Sequence, residues 1–413
     1  MPPPLNADKL SLALSLKELP NLADLESRWR DLELRAQPSF YTSWAWIGVW
    51  LELLPSDIRP RLLEARRDAQ VVGMAVVVSG PPRKKFGITI CQTAYLHDTG
   101  RPELDILYIE HNDFLLDRDH EAEVRSAMLD YWLGHLDGAL EVILPGLVGK
   151  GWSLDVQGDK CSRMKRVDVV DRSHAVDLRA VREADGNFLQ FISPNMRTQI
   201  RRSIKEYGRC GEVVLEAAAS VGQALAWLER LAELHQARWV GRGHPGCFSN
   251  PFFTHFHQTL IARHLVDGGV QLLRIRVGEH DLGYLYAFVR GGRVYCYQSG
   301  FDYGLIEKHA RPGLVAHSLA VEYNAAQGYD VYDFMAGDMR YKRDLATLDE
   351  RMTWTTLRTS SWRFECEATL PRVVSAARRV VSATYRLRRI WWRGRPWGRL
   401  RIGRSTAQTS EAC

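Results

Sequence analysis

Residues 295–345 read YCYQSGFDYGLIEKHARPGLVAHSLAVEYNAAQGYDVYDFMAGDMRYKRDL, and the fold is decided in this stretch. The alternating aromatics Tyr295 and Tyr297, followed by Gln298, predict a strand. Phe301-Asp302-Tyr303 reads as a loop, and Arg311-Pro312-Gly313 precedes a predicted helix over 314–327. Val331-Tyr332-Asp333-Phe334 is a second short strand, and a glycine-broken polar turn ends in Tyr341-Lys342-Arg343. Strand, loop, helix, strand and polar turn in this order form an α/β active-site layout.

Upstream, the spacing predicts a helical segment over Asn187–Gly208, with Ser193 as N-cap and Pro194 at the first helical position. Arg197, Arg201 and Lys205 make a basic stripe, open to two readings: a solvated face, or a positive wall toward an anionic ligand. A strand at 213–215, a long helix at 220–240, a glycine-rich loop at 241–250 and a helix at 251–265 follow. A hairpin at 270–277 and 282–289 and a strand at 293–299 lead back to the opening stretch.

The first part of the chain repeats this plan. Helices are expected over Leu16–Leu34 and Ala45–Leu54, then a hairpin at 61–64 and 70–78, short strands, a helix at 121–136 and a strand at 139–144. Each hairpin carries a glycine inside an apolar strand, Gly73 and Gly283, which suggests an internal duplication. The expected organisation is a flexible terminus at 1–15, an N-terminal domain at 16–175, a C-terminal domain at 176–365, and a helix with a basic tail at 366–413.

A length of 413 residues suits two to three domains, and a net charge of +6 does not by itself point to nucleic acid. Seven scattered cysteines without paired spacing read as reduced thiols, and no metal-ligand cluster is expected. Neither a signal peptide nor a membrane span is predicted, so the expected location is the cytoplasm. The arginine- and tryptophan-rich tail reads either as a solubilising segment or as a contact for the inner-membrane surface or a synthase, with nucleic acid a further option.

Four stretches carry a family resemblance: PNMRTQIRRSIKEYG (194–208), LHQARW (234–239), LGYLYAFVRGGRVYCYQSGFD (282–302) and PGLVAHSLAVEYNAAQGYDVYDFMAGDMRYKRDL (312–345). The chain resembles the CelD/BcsL-type acetyltransferases of the GNAT superfamily, which are related to the FemAB peptidyltransferases. The resemblance covers residues 180–350 and extends toward residue 40. It implies tandem GNAT-like (FemAB-like) α/β domains with mixed, mostly antiparallel sheets. It also implies an N-acyltransferase that takes acetyl-CoA or another acyl-CoA as donor. The implied acceptor is a small-molecule amine on a sugar, envelope or polysaccharide-pathway precursor. GNAT enzymes hold CoA with an Arg/Gln-x-x-Gly-x-Gly/Ala loop; here Ala310-Arg311-Pro312-Gly313-Leu314 offers a single glycine. Two alternatives stay open: aminoacyl transfer from charged tRNA, and a catalytically degenerate binding protein of a polysaccharide or membrane assembly.

Direct N-acyl transfer needs a neutral amine, an activated thioester and a stabilised oxyanion. Arg311, Gly313, Leu314 and Lys342 are the expected donor-binding residues, because a helix start with nearby cations suits phosphate. Asp333 reads either as a general base raised by aromatic burial or as a strand-end carboxylate paired with an arginine. Tyr341 is a candidate proton donor to the leaving thiolate. His235 is either a core histidine or a substrate-facing base. Arg197, Arg201, Arg238, Trp239, Tyr297, Gln298, Asp302 and Asp338 complete the expected substrate contacts, with Asp338 and Lys342 also readable as an ordinary ion pair.

Overall fold

In a computed structural model of the chain, residues 12–85, 88–149, 152, 163–306, 310–360 and 364 are described. The expected helix at 368–390 and the arginine- and tryptophan-rich tail lie outside the described residues, as do residues 1–11.

The first half runs β1 (Leu12–Glu18), α1 (Leu22–Glu33), α2 (Trp44–Leu53), β2 (Pro60–Arg67), β3 (Gln70–Ser79), β4 (Arg83–Lys85), β5 (Ile88–Cys91), β6 (Thr93–Leu96), β7 (Leu115–Leu116), α3 (Glu121–Gly134) and β8 (Glu141–Val148). The second runs β9 (Lys165–Asp177), α4 (Leu178–Glu183), α5 (Pro194–Tyr207), β10 (Val213–Ala217), α6 (Val221–Val240), α7 (Pro251–His264), β11 (Val270–Val277), β12 (His280–Arg290), β13 (Arg293–Phe301), α8 (Pro312–Ala326), β14 (Val331–Ala336), α9 (Arg340–Leu345) and β15 (Leu348–Arg358).

A continuous sheet joins the halves in the order β1-β2-β3-β6-β8-β15-β9-β14-β13-β12-β11-β10, with β7 beside β3. Two neighbouring pairs on this path are parallel, β6 with β8 and β13 with β14, and a helix (α3 or α8) lies on the crossover of each. The other pairs are antiparallel, so the fold is the mixed, mostly antiparallel α/β arrangement expected. The repeat extends to details. Each hairpin has a register shift beside its glycine: between Ala65 and Arg66, where Ala65 faces Gly73, and between Ile275 and Arg276, where Ile275 faces Gly283. A Cβ on Gly73 would lie 2.4 Å from the Met128 sulfur, and one on Gly283 would lie 2.6 Å from the Gly300 carbonyl oxygen.

The last strands of the halves are exchanged. β9 follows β8 in the chain but pairs with β14, while β15 follows β14 and α9 but pairs with β8. The exchanged strands pair with each other from Leu348↔Ala175 to Arg358↔Lys165. Apolar layers cover the sheet. α1, α2, α6 and α7 share one layer, which crosses both halves, whereas α4, α5 and α8 pack on the opposite face of the second half. α2 is apolar apart from the exposed Glu52 because it is buried between halves: Trp46 meets Phe256, and Phe40, just before the helix, stacks on Phe288 at 4.5 Å.

Some expectations change. Leu16–Leu34 is not one helix, and the order expected to start after residue 15 already includes β1. β1 pairs with β2 from Leu12↔Arg67 to Glu18↔Arg61, and the Asn21 side chain then caps α1 by accepting from the Asp24 amide. Asn187–Gly208 divides into a short 3-10 turn and α5, because Ser193 caps the helix by accepting from the Met196 amide. Among the described residues, no helix is long and apolar enough to cross a membrane.

The close approach at Gly283 yields a test. Gly283→Val overpacks against backbone and is expected to cost about 1–3 kcal/mol, measured as a lower urea midpoint at unchanged m-value. An unchanged midpoint would contradict the fit at this position.

Candidate active site

β13 and β14 pair only at Arg293↔Val331, Val294↔Tyr332 and Tyr295↔Asp333, and beyond this point they part. Both strands are deflected. On β13 the partner register jumps from Ala287↔Cys296 to Tyr286↔Gln298, leaving Tyr297 as the extra residue of a bulge. On β14 the Met335 amide donates to the Asp333 carboxylate at 2.7 Å, and Met335 sits at φ +65°. A cavity of about 1140 Å³ opens between the parted strands.

Asp333 is fully buried beneath this opening. It accepts from Ser173 Oγ at 2.8 Å and Arg293 Nη1 at 2.6 Å, and His111 Nε2 lies 3.0 Å away. Burial acts to raise its carboxyl, but His111, Arg293 and the Met335 amide outweigh that and hold it well below the usual range. The expected rise from aromatic burial therefore does not occur; the alternative reading, a carboxylate paired with an arginine, describes the geometry. Arg293 also donates twice to Glu350, at 3.0 Å each. His111, Asp333 and Glu350 converge closely enough to suggest a cation site, but the guanidinium already donates to both carboxylates.

Each wall of the cavity comes from a different element. α8 begins there with Arg311 as N-cap and Pro312 in its first turn, and no side chain caps it. The amides of Gly313 and Leu314 are thus presented to the cavity. Arg311 is exposed, and its amide donates to Ser203 Oγ at 3.2 Å. From α9, the buried Lys342 ammonium donates to the carbonyls of Met335 (3.0 Å) and Ala336 (2.5 Å); burial lowers its pKa, opposed by nearby Glu110. The Tyr341 ring stacks on His317 at 5.5 Å, and burial raises its hydroxyl pKa. Burial lowers His317 to about 3, keeping it neutral.

α6 supplies His235, Arg238 and Trp239. His235 Nε2 lies 3.8 Å from the Cys247 sulfur; burial lowers the imidazole and pushes the thiol up to about 12. The last wall comes from the first half: Ile106, Tyr108 and Glu110. Glu110 accepts from the Ala336 amide at 2.8 Å, and burial raises its carboxyl. Its segment passes beside Gly146, which is at φ +63°, where a Cβ would sit 2.5 Å from the Ile109 carbonyl oxygen. In the first half, β6 and β8 also pair over a short run, Thr93↔Glu141 to Tyr95↔Ile143. There Asn112 fills the space beyond, bridging to Leu147 and bonding His97 at 2.8 Å and the Leu96 carbonyl at 3.3 Å.

Of the residues anticipated from sequence, His235, Arg238, Trp239, Tyr297, Gln298, Arg311, Gly313, Leu314, Tyr341 and Lys342 line this cavity. The Tyr297 hydroxyl, however, donates away to the Leu107 carbonyl at 2.7 Å. The others lie outside the lining. Asp333 is the buried junction just described. Arg197 donates to the carbonyls of Leu189, Gln190 and Ile192, and so fastens the turn before α5. Arg201 is exposed on α5. Asp302 accepts from the Gly304 amide at 2.7 Å. Asp338 pairs with His174 at 3.1 Å and Arg343 at 2.7 Å rather than with Lys342. Glu110 and His317 were not anticipated. Glu110 sits in an aperiodic segment, and only chain reversal at Tyr108 and His111, both at positive φ, brings it here.

Known proteins share this architecture. Residues 194–343 match an acetyltransferase (GNAT) domain. That span holds the parted strands, α8 and most of the cavity wall. Among solved structures, FemX aligns over 82% of this chain and 96% of its own, at 10% identity and a TM-score of 0.53. The C-terminal domain of a putative lysylphosphatidylglycerol synthetase from Agrobacterium fabrum aligns over 86% and 96%, at 10% identity and a TM-score of 0.49. A tandem GNAT protein from the clavulanic acid biosynthesis pathway aligns over 84% and 100%, at 14% identity and a TM-score of 0.45. At these identities the likeness concerns the fold. No curated protein matches the chain in sequence.

The buried junction can be tested by titration. Asp333→Asn removes one partner of a buried pair and is expected to cost on the order of 3–5 kcal/mol at neutral pH, read by chemical denaturation. Because folding lowers this carboxyl, its stabilisation is present above about pH 4 and is lost as pH falls further. The Asn variant should lack that component of the acid dependence. Wild-type stability in the variant would rule the junction out as a structural element.

Proposed function

We propose that the chain is an N-acyltransferase that moves an acetyl or other acyl group from CoA to an amine on a sugar, envelope or polysaccharide precursor. One observation carries this reading: the parted β13–β14 cleft has an uncapped helix start with Arg311 at one end and Glu110 with Lys342 at the other. The first end suits phosphates, through the amides of Gly313 and Leu314 and the Arg311 charge. The gap between strands suits an extended acyl-pantetheine arm lying along the edge of β13.

At the other end Glu110 is the base. Its raised pKa suits removal of a proton from an ammonium near neutrality. The freed amine lone pair attacks the thioester carbonyl, forming the C–N bond. Backbone amides on the β13 edge, released from β14 beyond Tyr295, are available to the oxyanion. As the C–S bond breaks, Tyr341 gives its proton to the leaving thiolate, the new amide nitrogen sheds its extra proton to solvent, Tyr341 regains one from solvent and Glu110 releases the one it took; the raised Tyr341 pKa keeps it protonated beforehand. Lys342, tied to the Met335 and Ala336 carbonyls, fixes the strand end that holds Glu110 through the Ala336 amide. His235, neutral and facing Cys247, shapes the acceptor side.

A second reading, aminoacyl transfer from charged tRNA, draws on the exposed Arg201, Arg202 and Lys205 of α5. The two readings part on the donor. Wild-type protein should gain thermal stability with acetyl-CoA or a longer acyl-CoA, by about 2.7 kcal/mol at a hundredfold excess over Kd. No shift with any acyl-CoA, together with transfer that requires charged tRNA, would replace the first reading by the second. Within the CoA reading, Glu110→Gln should lower kcat by roughly 10²–10⁴ and remove the rise of rate with pH, while CoA binding persists. Arg311→Ala should instead raise the donor KM. Full activity in Glu110→Gln would exclude it as the base.

A further inference from the structure

The two ends of the cavity lie on opposite faces of the sheet. α8 and α5 pack in the layer on one face; α6 and residues 104–109 of the first half pack in the layer on the other. Resting on the donor assignment above, the α6 face is then where the acceptor enters. Its chemistry is specific. Arg238, in the last turn of α6, and Arg242, in the turn that follows it, line the cavity, and both are exposed. No ion pair with a carboxylate of the described residues is formed by either, whereas Arg340 in the same lining pairs with Asp344. The Arg238 guanidinium lies 4.4 Å over the Tyr303 ring, which fixes its direction.

Between the two arginines stands Trp239. It keeps 38% of its surface exposed yet is braced by His235 and His244, each with its ring centroid 5.8 Å away. The loop after it is fastened too. The Gln236 side chain donates to the Pro245 carbonyl at 2.6 Å, and Asn250 donates to the Glu103 carbonyl at 2.8 Å. Tyr108 contributes a second exposed ring, 65% accessible, at φ +46°, a left-handed conformation that a bulky residue adopts at a cost. A braced indole face and a second exposed aromatic ring beside guanidinium groups without carboxylate partners among the described residues are suited to a ring that carries a negative charge.

We propose that the acceptor is an anionic amino sugar: a ring set against Trp239 and Tyr108, with its phosphate or carboxylate on Arg238 and Arg242 and its amine toward Glu110. Calorimetric titration of the full chain in the presence of CoA tests it with glucosamine, glucosamine 6-phosphate and muramic acid. One anionic probe should bind at least tenfold tighter than glucosamine, and which one does identifies the anion. The Arg238→Ala/Arg242→Ala double variant should lose at least tenfold affinity for that probe, while its CoA affinity stays within twofold; the Lys/Lys double variant should recover part of the loss. Binding of none of the probes, equal affinity for the neutral and charged sugars, or an unchanged double variant would each overturn the proposal. Failure of CoA to bind, with the charged sugar still held by Arg238 and Arg242, would remove the donor assignment and leave this site standing.

Discussion

A single buried carboxylate ties the molecule together. Asp333 on β14 meets His111 from the first half, Ser173 from β9 and Arg293 from β13, and Arg293 carries the contact on to Glu350 of β15. A desolvated charge of this kind is tolerable only with every partner in place. The partners come from both halves and both exchanged strands, so the network demands the register of the whole central sheet. The same carboxylate takes the Met335 amide and turns that residue into the left-handed region. This turn aims the Met335 and Ala336 carbonyls at Lys342 and leaves the Ala336 amide for Glu110. The seam between halves and the mouth of the cleft thus share one physical cause.

The similar plan of the halves lets one serve the other. Both halves contain a parallel pair that closes for only a few residues. In the second half the gap stays open, and α8 starts at its mouth. In the first half Asn112 occupies it, bridging to Leu147 and to His97. The segment that plugs the first gap then delivers Tyr108 and Glu110 to the second.

The electrostatics of the cavity follow from depth. His317 and His235 are buried and pushed toward neutrality, and the Cys247 thiol stays protonated. Among the described residues, the charged groups lining the space are Glu110, Lys342, the Arg340–Asp344 pair, and Arg238, Arg242 and Arg311. Neutral buried groups at the centre and guanidinium groups at the rims are the division that the proposed transfer calls for.

Local pattern alone pointed to the α/β class, the repeated plan, the glycine-marked hairpins, α6, α7 and α8, while the cavity residues expected on α8 and α9 came with the family resemblance. Periodicity and capping act over a few neighbours, and Gly73 and Gly283 are needed wherever the strand is crossed closely. The missed features share a different origin. β9 carries exposed valines among charged residues, so its pattern does not announce a long central strand. Arg197 could be read as a solvated charge or as one facing a ligand, and instead it found three carbonyls of the preceding turn. Asp333 could be read as a base or as a carboxylate paired with an arginine, and only the arrival of Arg293 and His111 chose the second. Glu110 had no pattern at all. Side-chain period tells which face of an element turns inward, but the partner waiting there is chosen by how distant segments close over it. That choice, made by the exchange of β9 and β15 and by the plugged first gap, belongs to the tertiary structure alone.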